Sequence, residues 1–143
     1  MDVDQARDFV RQHHRAILAT RRADGGTQLS PVLAGIDDDG NVEVSSNEGK
    51  AKVRNLQRDD RATLLVMTER FFERRWIQVE GTASVVTLPE AADALVAYEH
   101  RLAPDGERPD DDELRRRHAE SRAVLIRIAI ERVGPRNARL DPV

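Results

Sequence analysis

The chain has 143 residues, a formal net charge of −3 and no cysteine. That length predicts a single domain over 1–143 that can bury a core without staples. The missing cysteines exclude disulfides, zinc-thiolate sites and thiol catalysis, and the negative charge argues against a general nucleic-acid binder.

The opening Met1-Asp2-Val3-Asp4 is acidic and lacks the apolar core of a signal peptide. No apolar run reaches the roughly 20 residues of a membrane helix, so a cytoplasmic location is expected. Val3, Ala6, Phe9 and Val10 recur at the spacing of one helical face, predicting a helix over 3–14. His13 and His14 then end that helix, where a partly charged imidazole suits the dipole. Residues 15–20 read as a strand, 23–26 as its turn and 28–36 as a second strand. Pro31 has no amide donor and needs an edge or an irregular spot. After the turn 37–40, residues 41–46 alternate as a third strand, so the first three strands are expected to form an antiparallel meander.

Asn47 or Ser46 can cap a helix over about 49–59. Residues 62–67 form a fourth strand. Residues 76–86 form one long strand, or two interrupted at Gly81. Pro89 is expected to open a helix running to about Leu102. A polar loop follows from Pro104 to Pro109. Asp110-Asp111-Asp112-Glu113 start a short helix, where acids suit the dipole, and 123–133 close the chain as a strand. The pattern predicts an α+β fold, mainly β, whose six or so antiparallel strands close into a barrel.

Only two of the 23 basic residues are lysines, and they stand two positions apart as Lys50 and Lys52. Arginine is a planar fork, whereas lysine is a compact point charge suited to phosphate. A solvated basic helix face is the plain alternative. Lys50, Lys52 and Arg54 fall at the predicted helix start, where cations oppose the dipole unless an anion is bound. Arg58 sits at the favourable end of the helix, and Arg61 can pair with Asp59 or Asp60. The chain has no P-loop, no dinucleotide fingerprint and no nucleophile elbow. The four histidines lack a metal-ligand spacing, so no metal is assigned. Without an acid–base constellation, any chemistry is expected to come from a cofactor.

Five strings carry a resemblance: Ala16-Ile17-Leu18-Ala19-Thr20, Asp24-Gly25, Ser30-Pro31-Val32, the run Lys52 to Ala62, and Val79-Glu80-Gly81-Thr82-Ala83. In this order the chain, from about 10 to about 134, resembles the split β-barrel flavin- and deazaflavin-binding family with the pyridoxamine-phosphate-oxidase-like fold. The K-x-R-N-L-x-R-D-x-R-A string is most similar to the actinobacterial branch of F420-dependent reductases. The resemblance implies a six- to seven-stranded antiparallel split barrel of the FMN-binding type, working as a homodimer with two cofactor sites at its interface. It implies that Lys52 holds the cofactor phosphate beside Lys50 and Arg54. Ser45, Ser46 and Asn47 lead into the phosphate loop, and Ser30, Pro31 and Val32 lie along the ring. Trp76 and Gln78 wall the pocket, from either chain of the dimer; ordinary packing is the plain alternative for Trp76.

The implied activity is hydride transfer from reduced coenzyme F420 to an electron-poor small molecule such as an enone, quinone or tetrapyrrole. An FMN-dependent oxidoreductase and a non-catalytic F420 or flavin carrier are the alternatives. No catalytic residue is assigned. Arg22, Arg74 and Arg75 are either surface arginines or attractors of an acidic group, and the acceptor-facing segments are 69–75 and 102–121.

Overall fold

The computed structural model describes residues 1–70, 73 and 75–135. Helix α1 (Val3–Gln12) starts at Asp2, whose side chain accepts from the Gln5 amide while Gln5 answers in a capping box. It buries Ala6, Phe9 and Val10 against the sheet. Seven strands follow: β1 (Arg15–Arg21), β2 (Thr27–Leu33), β3 (Gly35–Ile36), β4 (Val42–Asn47), β5 (Arg61–Met67), β6 (Trp76–Val86) and β7 (Ala123–Gly134). Helix α2 (Ala51–Arg58) lies between β4 and β5, and α3 (Ala92–Leu102) and α4 (Asp111–Ser121) lie between β6 and β7.

The strands form one sheet in the order β2-β1-β5-β6-β7-β4-β3, with every ladder antiparallel. It curls into a half-barrel, the expected split-barrel architecture. The expected closure does not occur through a ladder: β2 approaches β4, but no ladder joins them among the described residues. That leaves a seam. Nor do the first strands form a meander, because β2 pairs with β1 while β4 pairs with β3 and β7. The reason is a corner at Ala34. This residue is fully buried, and its amide donates to the His14 carbonyl at 2.7 Å instead of continuing the strand. The single strand expected over 28–36 therefore becomes β2 and β3, on opposite sides of the seam.

Pro31 sits on β2, the end strand of the sheet, as a residue without an amide donor requires. Strand β6 runs unbroken through Gly81, with a bulge between Glu80 and Gly81. A Cβ at Gly81 would stand 2.0 Å from the Ala129 carbonyl oxygen, so this crossing needs glycine. Pro89 does not open α3: it lies in a turn where the Ala92 amide donates to the Pro89 carbonyl, and the helix begins at Ala92. Asp110 does cap α4, accepting from the Glu113 amide at 2.9 Å.

Alternation sorts the strands into two faces. Leu18, Val42, Val44, Leu64, Val66, Ile77, Val79, Ile126 and Ile128 fill the interior. A smaller cluster of Ala91, Leu95, Tyr98, Ala123 and Leu125 seats α3 on the outside. On the outer face of β2, β5 and β6, Leu29, Leu33, Leu65 and Trp76 are 61, 49, 36 and 42% exposed. These are the exposed large apolar side chains among the described residues, and they share one face.

His13 does end α1, as its C-cap, but its surroundings oppose the partial charge expected there. It packs against Phe9 with ring centroids 4.7 Å apart, and burial, then the Arg75 charge, lower its pKa. A histidine whose folded pKa lies below 6.5 binds fewer protons than in the unfolded chain as pH falls through that range. Its stabilising contribution is therefore complete above about pH 6.5 and is lost on acidification. Melting temperatures at pH 7.5 and 5 should diverge more for the wild type than for His13→Phe. Equal drops would remove His13 from the account.

Candidate functional site

The lysine-bearing start of α2 is built by its neighbours. Asn47 does not cap the helix as expected. Its side-chain amide donates instead to the Ser121 carbonyl at 3.0 Å, tying the end of β4 to the end of α4. The Glu48 amide donates to the Arg122 carbonyl at 2.9 Å, and Glu48 pairs with Arg122 at 3.4 Å. Gly49 then turns the chain at φ +84°, a conformation costly for other residues. Lys50 occupies the cap position with no side-chain hydrogen bond, and no acid stands in the first turn. The first amides of α2 therefore lack the side-chain partner that Asp2 and Asp110 supply to α1 and α4. Lys50 and Arg54 are exposed, while Lys52 is half-buried. Burial, then the Lys50 charge, holds the Lys52 amine below its ordinary pKa. A bound anion would favour the charged amine and so offset both effects.

The remainder of the K-x-R-N-L-x-R-D-x-R-A string has a structural task that its sequence does not announce. Asn55 is 7% exposed, and its Nδ2 donates to Thr20 Oγ1 at 3.1 Å. Arg58 donates to the Arg21 carbonyl at 2.7 Å and to Asn55 Oδ1 at 3.0 Å. Together they anchor α2 to the end of β1, fixing where Lys52 stands. An asparagine between Val53 and Leu56 on the buried face was the available signal, since a polar group there needs a partner. Asp59 pairs with Arg61 at 3.4 Å and with Arg21 at 3.8 Å.

The strand-borne candidates divide by face. On β4, Ser46 points inward with Val42 and Val44, and its buried Oγ has no hydrogen-bond partner. Ser45 and Asn47 face the helices instead. On β2, Ser30 and Val32 lie on the half-buried face, with Val32 packed against the core, while Pro31 faces outward. Ser30, Val32 and Ser46 thus belong to the two strands that flank the seam.

Pro31, Ile17, Leu65 and Gln78 form one cross-strand row on the outer face. Three strand spacings of about 4.8 Å separate its ends by roughly 14 Å. Trp76 and Gln78 line an open cleft of about 640 Å³ with Glu80, Arg132, Val133, Gly134 and Pro135. Lys50, Lys52 and Arg54 do not line it. Trp76 is 42% exposed, so it is not core packing within one chain, and packing at an interface stays as its plain alternative. Arg22 pairs with Asp24 at 3.2 Å, and Arg75 pairs with Glu73 at 3.3 Å. Arg74 lies outside the described residues.

Among the described residues no group of three or more His, Asp or Glu is placed to hold a metal. No helix among them is long and apolar enough to cross a membrane.

A family model described as pyridoxamine 5'-phosphate oxidase matches residues 3–137. The chain belongs to the pyridoxamine 5'-phosphate oxidase family. This is a flavin-binding, oxidoreductase-like family. The conserved hypothetical protein Rv2991 of Mycobacterium tuberculosis superposes with a TM-score of 0.74 at 26% identity, over 93% of this chain and 82% of that one. A protein described as an F420 reductase matches with a TM-score of 0.66 at 18% identity, over 89% and 94% of the two chains. The heme storage protein HutZ of Vibrio cholerae matches with a TM-score of 0.68 at 19% identity, over 98% and 99%. The last two share the fold while differing in what they are described as doing, so the fold alone does not choose the function.

Proposed function

We propose that the chain is an F420H2-dependent reductase that works as a homodimer. The observation that carries this reading is the start of α2: two lysines, no acid and no side-chain cap, positioned by the Asn55 and Arg58 anchors. The orphaned Ser46 hydroxyl four residues earlier adds a buried donor with no partner of its own. A phosphate-bearing cofactor fits this donor set, and the K-x-R-N-L-x-R-D string favours the deazaflavin over FMN. When bound, reduced F420 supplies a hydride to an electron-poor acceptor such as an enone, quinone or tetrapyrrole.

The chain's own part is binding and orientation. Lys52, with Lys50 and Arg54 beside it, holds the phosphate against the α2 amides. Ser30 and Val32 on β2, and Ser46 on β4, border the ring along the seam, while Ser45 faces the helices behind it. Asn47 contributes indirectly, by holding the approach to α2 against α4. Pro31, Trp76 and Gln78 face the other way, so within one protomer they stand apart from this group. In a homodimer joined through the outer sheet face they would wall the partner's pocket. The exposed Leu29, Leu33, Leu65 and Trp76 support that face as the contact, because apolar side chains gathered on one surface gain by being covered.

Titration of the purified protein with F420 and with FMN, followed by fluorescence, tests the assignment. Micromolar F420 binding is expected, followed by reduction of at least one enone, quinone or tetrapyrrole by F420H2. Micromolar FMN binding with none of F420 would overturn it. F420 binding with no acceptor reduced would leave a carrier.

A further inference from the structure

We infer that Tyr98 is a positioning residue that clasps the open seam, holding the end of β2 at a fixed distance from β4. Strand β2 is paired on one side only, with β1. A strand with one partner is held by half the backbone bonds of a central strand and is more easily displaced. Its second half is the part that matters, because Ser30 and Val32, on the seam side, lie there.

Tyr98 comes from α3, on the β4 side of the seam. It is 3% exposed, and its hydroxyl donates to the Leu33 carbonyl at 2.7 Å, directly after Val32. Ser45 of β4 stands beside the same phenol and works against the burial that raises its pKa. The phenol thus reaches across to the end of β2 from a helix that is itself tied to β4. The ring packs over β3, where a Cβ at Gly35 would lie 3.9 Å from it. The corner contacts between His14 and Ala34 bind the end of β2 back toward β1 and do not cross the seam.

The clasp is itself anchored. Arg101, one helical turn after Tyr98, donates to Glu43 of β4 at 2.6 Å and to Asp38 at 3.3 Å. Glu43 is 1% exposed and lies across from Gly35. Helix α3 is therefore keyed to β4 by an ion pair and to β2 by a phenol. The consequence for binding rests on the cofactor reading above: a seam of set width holds the ring-facing segments in register.

Tyr98→Phe keeps the ring and removes the clasp. Amide exchange over 28–36 should rise by about tenfold in this variant, with β5 and β6 unchanged. Unchanged exchange over 28–36 would overturn the clasp, whatever the cofactor does. Affinity for whichever of F420 or FMN the wild type binds should fall by about five- to tenfold, with a shifted spectrum of the bound ring. Lys52→Ala, acting on the phosphate, should weaken binding without that spectral shift. Faster exchange with wild-type affinity and spectrum would overturn the positioning role and leave the clasp. A wild type that binds neither cofactor would sink the cofactor reading, and the clasp would then be judged on exchange.

Discussion

Lys52→Ala should weaken F420 binding by tenfold or more, the loss of a charge-assisted contact of about 1.5–3 kcal/mol. Lys52 is the half-buried cation of the α2 start, and burial lowers its pKa, so it carries a desolvation cost that a bound phosphate repays. Lys50 is exposed, and solvent and salt screen its contribution, so Lys50→Ala should cost less. Folding should be untouched, because Lys52 makes no ion pair among the described residues and the helix is anchored by Asn55 and Arg58. Removing a cation from a helix start even favours the helix slightly. Equal affinities for the wild type and Lys52→Ala, measured by F420 fluorescence, would show that the phosphate binds elsewhere.

The second large effect is on stability. Arg101→Ala leaves Glu43 buried without its cation, and breaking such a pair costs about 3 kcal/mol, the low end of the usual range. The low end applies because the Arg101 side chain keeps 27% of its surface in water. Burial already raises the Glu43 pKa above 4.5, with Arg101 opposing it, so removing Arg101 raises it further. A carboxyl whose folded pKa exceeds its unfolded value holds a proton that the unfolded chain has released. Stability therefore falls as pH rises from about 4.5 toward the folded value, and the deficit of Arg101→Ala should shrink on acidification below that window. Urea unfolding at pH 7 and pH 4 measures both. Adding Glu43→Gln to Arg101→Ala should abolish the pH dependence of the deficit. A deficit below about 1 kcal/mol at pH 7, the worth of an exposed pair, would show that the pair is effectively solvated.

What could be read in advance was what depends on near neighbours. Local pattern placed the helices and strands within a few residues, with β2 and β3 merged into one; Pro31 marked an end strand, and the acids at 110–113 marked a helix start. The failures are long-range. Asn47 has ideal cap chemistry, yet the Ser121 carbonyl, 74 positions away, takes its amide. Ala34 has no turn signature, and its corner exists because the His14 carbonyl meets its amide. Pro89 is a plausible first helical residue, but a turn occupies that position. For the candidate site, composition alone singled out Lys50 and Lys52. Nothing local in Ser45-Ser46-Asn47 says that alternate residues of a strand end serve opposite faces. Tyr98, Arg101 and Glu43 escaped notice because each partner sits on a different element. A buried tyrosine reveals its role only when the carbonyl it reaches is known.

The rarity of lysine at the α2 start has a practical side. Reagents that acylate amines find two side-chain targets in the whole chain, both at this one place, besides the chain's α-amino group. Lys52 has a lowered pKa, which raises its share of reactive free amine at a given pH. The protein therefore carries a built-in chemical reporter, and mass shifts at 50 and 52 would register occupancy of this corner directly, without an assay for turnover.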